Sequence, residues 1–181
     1  MSMSIKIKHV FYLSFILLTL STLLPWWEYN TYSVDANRLE STQKLQILPP
    51  VFRIDNTRNV VIREIPVQGD LKTLSYILLS LCLTSIILNS YGLIIFDYHI
   101  QATKKIYLFS GIITLFGCLF FLYTYNHWLS QPIFNNSLFG SANENILPVG
   151  YTTRWGLSYG FLFSMISGVL SLFSSQLSSF K

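Results

Sequence analysis

The chain has 181 residues, of which 51% are hydrophobic and only 11% are charged, against about 25% charged in an average soluble domain. A soluble domain of this length cannot bury so much apolar surface, so the composition indicates a membrane protein. It excludes a disordered chain, a collagen-like fibre and a disulfide-stapled secreted module. The net charge is +4, and no basic run is long enough to indicate nucleic acid.

Four apolar stretches predict transmembrane helices, because a bilayer-crossing helix needs about 20 predominantly apolar residues. None of them contains Asp, Glu, Lys or Arg, and aromatic residues such as Trp27 and Trp128 flank them as expected at a membrane interface. We therefore expect an all-α membrane protein forming one domain over residues 1–181, a four-transmembrane-helix bundle. The predicted spans are residues 10–27, 74–96, 106–125 and 155–174, and the outer segments between them are residues 28–73 and 126–154.

The first stretch also suits a signal peptide, since Lys6 and Lys8 precede an apolar core. The stretch ends Leu-Leu-Pro-Trp-Trp, however, without the small-x-small pattern that precedes cleavage. We expect a retained span.

The orientation follows from the basic residues beside the spans. Basic residues are denser on one predicted side of the membrane than on the other, where acidic residues balance them. The side with more basic residues is normally cytoplasmic. This predicts a multi-pass protein of the cell membrane with both termini in the cytoplasm. The residues on that side are Lys6, Lys8, Lys104, Lys105 and Lys181.

The first outer segment has strand character. Residues 44–48 alternate polar and apolar side chains, residues 51–54 and 60–65 are rich in β-branched and aromatic residues, and turn formers occupy 55–59. This pattern predicts a hairpin and hence a small antiparallel β-sheet built from the first outer segment.

The candidate contact residues of this segment are Phe52, Arg53, Arg58 and Arg63. The arginines alternate with acids, so one interpretation is a solvated sheet face with cross-strand ion pairs. The other is a contact site for an acidic partner. In the second outer segment, Asn135-Asn136-Ser137 is a glycosylation sequon, whose use depends on the host.

Candidates for metal or redox chemistry are sparse. Cys82 and Cys118 fall in different spans without a Cys-x-x-Cys motif, so we interpret them as structural thiols. His9, Asp97 and His99 could meet at the cytoplasmic edge, but we expect interfacial side chains there and not a metal site. The sequence predicts no metal and no cofactor.

No ionisable residue lies within a predicted span, which disfavours pumps and proton-coupled carriers. The strongest polar group there is Asn89, which we expect to bond across helices. No His-Glu-x-x-His or P-loop pattern occurs. We predict that the protein is not an enzyme.

Small residues recur every fourth position in the fourth predicted span, and a second set occurs in the third. Such ridges let transmembrane helices approach closely. They either pack the chain's own bundle or receive a helix from a partner subunit. The ridge residues are Gly156, Gly160, Ser164 and Gly168 in the fourth span, and Ser110 and Thr114 in the third.

Several motifs carry a resemblance to a known group. Leu24-Pro25-Trp26-Trp27 resembles the Leu-Pro-x-Trp that closes the first span of the claudin/peripheral-myelin-protein tetraspan superfamily. Residues 156–168 resemble its last helix, and residues 126–134 the start of its second outer loop. The resemblance implies a left-handed four-helix bundle topped by a small antiparallel sheet that acts through contacts. The family's Gly-Leu-Trp and paired loop cysteines are absent, so tight-junction sealing is not implied.

Three functional hypotheses follow. The first is a non-enzymatic accessory or scaffold subunit, which binds other integral membrane subunits through helix packing and outer-loop contacts. The second is a small subunit of a membrane redox or oxidase complex that lines a quinone or lipid pocket with aromatic residues. The third is a claudin-like, self-associating adhesion or surface-anchoring protein.

Overall fold

The computed structural model describes residues 3–33, 38–46, 51–56, 61–66, 69–128, 140–146 and 149–176. Four helices and six strands account for nearly all of these residues. The helices are α1 (Met3–Leu23), α2 (Gly69–Ile95), α3 (Ile100–Trp128) and α4 (Tyr159–Gln176). The strands are β1 (Trp27–Ser33), β2 (Arg38–Gln46), β3 (Val51–Asn56), β4 (Val61–Pro66), β5 (Gly140–Ile146) and β6 (Val149–Leu157).

The strands form one antiparallel sheet in the order β4-β3-β2-β1-β6-β5. The predicted hairpin is confirmed, because β3 pairs with β4 around residues 57–60. The predicted antiparallel sheet is present, and the first outer segment supplies four of its strands, β1 to β4. The second segment adds β5 and β6, and β6 pairs along the whole of β1.

The helices form a bundle in which α1 and α3 each pack against both α2 and α4. On α2 the buried residues alternate three and four positions apart, a mean period of 3.5 residues. This is the period of left-handed, knobs-into-holes helix packing. The buried residues of α2 are Ser75, Leu78, Cys82, Ser85, Asn89 and Gly92, and the buried Phe96, one residue after the helix, continues the spacing.

The bundle differs in composition from a soluble protein. Its interior contains many small hydroxyl side chains, including Ser14, Ser110 and Ser167, each 0% exposed. Its surface carries large apolar side chains, such as Ile87 at 66% and Phe173 at 64% exposure. An apolar exterior, with small hydroxyl side chains at helix contacts in the interior, suits packing in lipid, where hydrophobicity does not drive helices together.

Two helices are long and apolar enough to cross a membrane by length and composition, over Lys72–Ile95 and Ile100–Tyr125. The apolar part of α1, Lys8–Leu23, is shorter, and α4 has 18 residues.

The predicted limits of the outer spans need correction. The first helix stops at Leu23, and Trp27 already begins β1. The fourth helix begins at Tyr159, so Trp155 and Gly156 belong to β6. The physical reason is strand pairing, since the β1–β6 ladder continues to Trp27 opposite Leu157.

The sheet packs on one end of the bundle through a large aromatic cluster. Trp26, Trp27, Leu45 and Trp155 join residues from the helix ends there, including Phe121 and Phe161. A smaller cluster of Phe11, Phe96 and Tyr107 lies at the opposite end.

Candidate functional site: the sheet and its junction with the bundle

The junction is organised around Trp26, which follows the end of α1 and is 0% exposed. Its indole Nε1 donates to the Ser21 carbonyl at 2.7 Å. Its backbone N–H donates to the Leu45 carbonyl at 2.9 Å, and its carbonyl accepts from the Ser158 N–H at 2.9 Å. One residue therefore links α1 to β2 and to the start of α4.

The start of α4 closes directly on this corner. Gly160 N–H donates to the Pro25 carbonyl at 2.8 Å. A Cβ at Gly160 would lie 2.5 Å from the Leu24 carbonyl oxygen and 2.6 Å from Trp26 Cδ1. Because backbone is among the atoms it would meet, only glycine fits without a shift of the chain.

The predicted ridge of α4 lies inside the molecule. Ser164 Oγ is 3.5 Å from Cys118 Sγ on α3, and a Cβ at Gly168 would lie 2.8 Å from Leu115 Cδ2. The prediction that Gly156 belongs to this helical ridge was wrong, because Gly156 lies in β6 opposite Glu28. The remaining ridge packs α4 against the chain's own α1–β1 corner and α3.

The second set of small residues is also covered by the same chain. Ser110 and Ser85 donate to each other's backbone carbonyls, at 3.2 and 3.4 Å, and so join α3 to α2. Thr114 Oγ1 donates to the Ser110 carbonyl at 2.8 Å, within its own helix. In this structure neither set presents a free face to a partner helix.

One face of the sheet is apolar and rests on the bundle. Trp27 is 1% and Leu45 is 1% exposed there, and they occupy paired positions on β1 and β2. Tyr29 stacks between Trp27 and Trp155, with ring centroids 6.2 Å apart in both pairs. The alternation of these strands therefore points one row of large side chains toward the helices.

The opposite face of the sheet carries a row of charged residues. The register sets Glu28 opposite Lys44, Lys44 opposite Arg53, and Arg53 opposite Glu64 across four neighbouring strands. Opposite charges in paired positions stabilise a sheet by a fraction of a kcal/mol to about 1 kcal/mol per pair. The two outer pairs of this row join opposite charges, whereas the central pair of Lys44 and Arg53 joins like charges, which destabilise a sheet. The formal charges of the row sum to zero, which favours the solvated interpretation over a site for an acidic partner.

Arg154 extends this opposite face on β6 and is exposed. Its guanidinium lies 5.5 Å from the ring centroid of Tyr32 on β1. Glu28 also reaches toward the bundle, where its Oε1 accepts from Ser158 Oγ at 2.7 Å. Ser158 immediately precedes α4, so the carboxylate lies at the end of the helix that favours negative charge.

The predicted contact residues do not form one basic surface. Phe52 pairs with Leu45 and Ile65, and Arg63 pairs with Ile54. The positions of Phe52 and Arg63 are therefore on the same face of the sheet as Leu45. Arg53 occupies the opposite face. Arg58 and the sequon residue Asn135 lie outside the described residues.

At the other end of the bundle, Lys8 Nζ donates to both carboxylate oxygens of Asp97, at 2.6 and 2.9 Å. This hydrogen bond raises the pKa of Lys8 above 10.5. Sequence reasoning missed the pair, although Lys8 and Asp97 flank adjacent spans at the same predicted edge. Within the described ranges, no group of three His, Cys, Asp or Glu residues is placed to hold a metal ion.

The described aromatic side chains of α3 divide between the core and the exterior. Phe121 and Tyr125 stack inside the core with centroids 4.2 Å apart. Phe116 and Tyr123 lie on the exterior, at 57% and 77% exposure. Cys82 and Cys118 are free, buried thiols in the core cluster.

The fold and site together define a class: a four-helix bundle with two candidate membrane-crossing helices, capped at one end by a six-stranded antiparallel sheet. No protein-family model matches the sequence, and no curated protein matches it.

Proposed function

We propose that the chain is a non-enzymatic multi-pass membrane protein in which all four helices cross the bilayer. The apolar exterior of the bundle carries this proposal. The two shorter helices also have an apolar exterior. On α1, Leu13 and Ile16 are 49% and 50% exposed, and on α4, Ile166 and Phe173 are 48% and 64% exposed. In water such surfaces would be an aggregation liability, whereas in lipid they face acyl chains.

In this arrangement the sheet lies on the outer side of the membrane. The α2–α3 turn and both termini lie in the cytoplasm. The basic residues beside the spans support this orientation, with Lys104 and Lys105 just after the turn.

The architecture also fits a distant membership of the claudin/peripheral-myelin-protein tetraspan superfamily. The Leu24-Pro25-Trp26-Trp27 motif that carries the resemblance lies at the junction of sheet and bundle. Trp26 binds β2 and the start of α4 there, which gives the motif a structural role in holding the sheet on the helices.

The role we propose is that of an accessory or scaffold subunit that binds a partner through its outer sheet. The small-residue ridges are not the docking surface, because the chain's own helices cover them. The opposite face of the sheet is polar and includes the exposed Arg154 beside Tyr32. Arginine and tyrosine are enriched where protein interfaces have their strongest contacts.

Extraction of the native membrane in a mild detergent, followed by native electrophoresis and mass spectrometry, tests this role. We expect a stoichiometric complex larger than this chain. Arg154→Glu on the sheet should release the partner, whereas Lys105→Glu, an exposed position at the other end of the bundle, should retain it.

Other results would favour other functions. A single chain or a homo-oligomer would contradict the accessory role and favour a self-associating adhesion protein. A complex that carries quinone or a redox metal in contact with this chain would favour the redox-subunit hypothesis.

A further inference from the structure

Asn89 is the most polar side chain in the interior of the bundle. It lies on α2 and is 0% exposed. Neither its Oδ1 nor its Nδ2 has a hydrogen-bond partner in the part of the chain that the structure describes. A buried amide left unpaired is costly, so such a group normally binds another polar group or an ordered water.

The Asn89 backbone holds the side chain of Tyr107 in place beside it. The Asn89 carbonyl accepts from the Tyr107 hydroxyl at 3.0 Å. The Tyr107 ring covers Gly92, where a Cβ would lie 2.6 Å from ring atom Cε2, and stacks on Phe11 with centroids 3.7 Å apart. These rings close the interior between Asn89 and the end of the bundle that carries Lys8.

Toward the centre of the bundle lies a layer of serines, to which all four helices contribute. On α1 and α4, the hydroxyl of Ser14 lies 3.0 Å from that of Ser167 and 2.7 Å from that of Ser171. On α2 and α3, Ser85 and Ser110 bond each other's carbonyls.

Both serine groups lie at the same level of the bundle. Gly111, the residue after Ser110, faces α4, since a Cβ there would lie 3.0 Å from the Gly168 carbonyl and 2.9 Å from the Leu172 side chain. This is the turn of α4 that holds Ser171. Asn89 lies one helical turn from Ser85 and therefore borders the layer.

The chemistry of these groups limits what Asn89 can bind. An amide offers donors and acceptors together, and a serine hydroxyl retains an acceptor position when it donates. The bonds between Ser85 and Ser110, at 3.4 and 3.2 Å, are long and leave capacity for a further partner. The groups named here are all neutral, so the fitting species is a small neutral molecule that both donates and accepts hydrogen bonds.

We propose that Asn89 and the serine layer bind internal water in the centre of the bundle. The bound water satisfies the amide and links α2 to the hydroxyls of its neighbours. The site is a buried hydration site closed by protein and does not depend on the proposed subunit role.

Radiolytic footprinting of the full chain in lipid nanodiscs tests this site, because hydroxyl radicals formed from bound water oxidise adjacent side chains even where bulk solvent is excluded. Tyr107, at 0% exposure, reports on the site. Phe121, also at 0% exposure but in the aromatic core, is the matched control.

We expect oxidation of Tyr107 at doses that leave Phe121 intact. Asn89→Leu should reduce Tyr107 oxidation several-fold, whereas Ser164→Ala, at the α3–α4 contact, should not. Protection of Tyr107 equal to that of Phe121 would overturn the proposal, and this wild-type comparison holds even if a variant fails to fold. Unchanged Tyr107 oxidation in folded Asn89→Leu would overturn it as well.

Discussion

Gly160 on α4 lies directly against Trp26, which follows the end of α1, and its N–H donates to the carbonyl of the adjoining Pro25. Through this contact, the first and last helices and the sheet meet at one corner. The closeness of the contact explains why the second residue of the last helix is a glycine, and it makes this position a sensitive test of the fold.

Gly160→Ala should destabilise the protein by about 1–3 kcal/mol, the usual range for overpacking a filled core. The added methyl group meets backbone oxygen atoms of Leu24 and Pro25, which cannot move aside like a flexible side chain. Gly117→Ala is the matched control, since a Cβ there would lie at ordinary distances of 3.6–3.9 Å from its neighbours. Thermal unfolding in detergent measures the stability of both variants. Equal losses of stability would contradict the close packing at this corner.

Ser14→Ala should weaken the packing of α1 on α4. The substitution removes a hydroxyl that bonds Ser167 and Ser171, and hydrogen bonds between transmembrane helices contribute about 0.6 kcal/mol on average and up to about 1.7. Ser80→Ala is the control, because Ser80 is exposed and bonds only its own helix at the Tyr76 carbonyl. Equilibrium unfolding of the two variants should show a lower free energy of unfolding for Ser14→Ala alone. A decrease of the same size in both variants would contradict the interhelical role of the Ser14 hydroxyl.

The two faces of α3 should respond oppositely to the same substitution. Phe121→Ala empties a fully buried site and should cost about 3–5 kcal/mol. Phe116→Ala, five residues earlier and 57% exposed, should cost little in a bilayer, because lipid tails replace the lost contacts. Unfolding measurements in lipid bicelles compare the pair. A large loss at Phe116 would indicate that this surface packs against protein.

The ion pair of Lys8 with Asp97 predicts a pH dependence at alkaline pH. The Lys8 pKa is higher in the folded protein than the ordinary 10.5. Its contribution is therefore fully present below pH 10.5 and is lost as the pH rises through the folded-state pKa. The stability difference between wild type and Lys8→Met should shrink over that interval. The exposed Lys105→Met gives the control, and a difference that does not change with pH would contradict the pairing.

Much of the fold follows from local patterns in the sequence. The four helices were predicted from apolar runs, and the β3–β4 hairpin from β-branched runs around a turn. The limits were less accurate where a strand adjoins a span. The four-residue spacing of small residues extends from Gly156 to Gly168, yet Gly156 lies in β6, where it pairs with β1 and is not helical. That pairing joins segments more than a hundred residues apart, so no local pattern contains it.

The candidate site was predicted only in part. The strands of residues 44–65 were identified, but the register that separates Arg53 from Arg63 depends on alternation within the paired strands. Strand β1 could have been found, since Trp27, Tyr29 and Thr31 alternate with more polar residues. Trp27 was interpreted as part of an interfacial aromatic belt, because aromatic residues also favour that position.

The most direct test of the central claim is the membrane topology of the sheet and of the α2–α3 turn. Single cysteines are introduced at two exposed positions, as Ser141→Cys on β5 and Gln101→Cys at the start of α3, with the buried Cys82 and Cys118 as internal negative controls. A membrane-impermeant maleimide added to intact cells should label Ser141→Cys alone, and should label Gln101→Cys only after permeabilisation. Labelling of both positions in intact cells, or of Gln101→Cys alone, would contradict a four-span protein with an outer sheet and cytoplasmic termini.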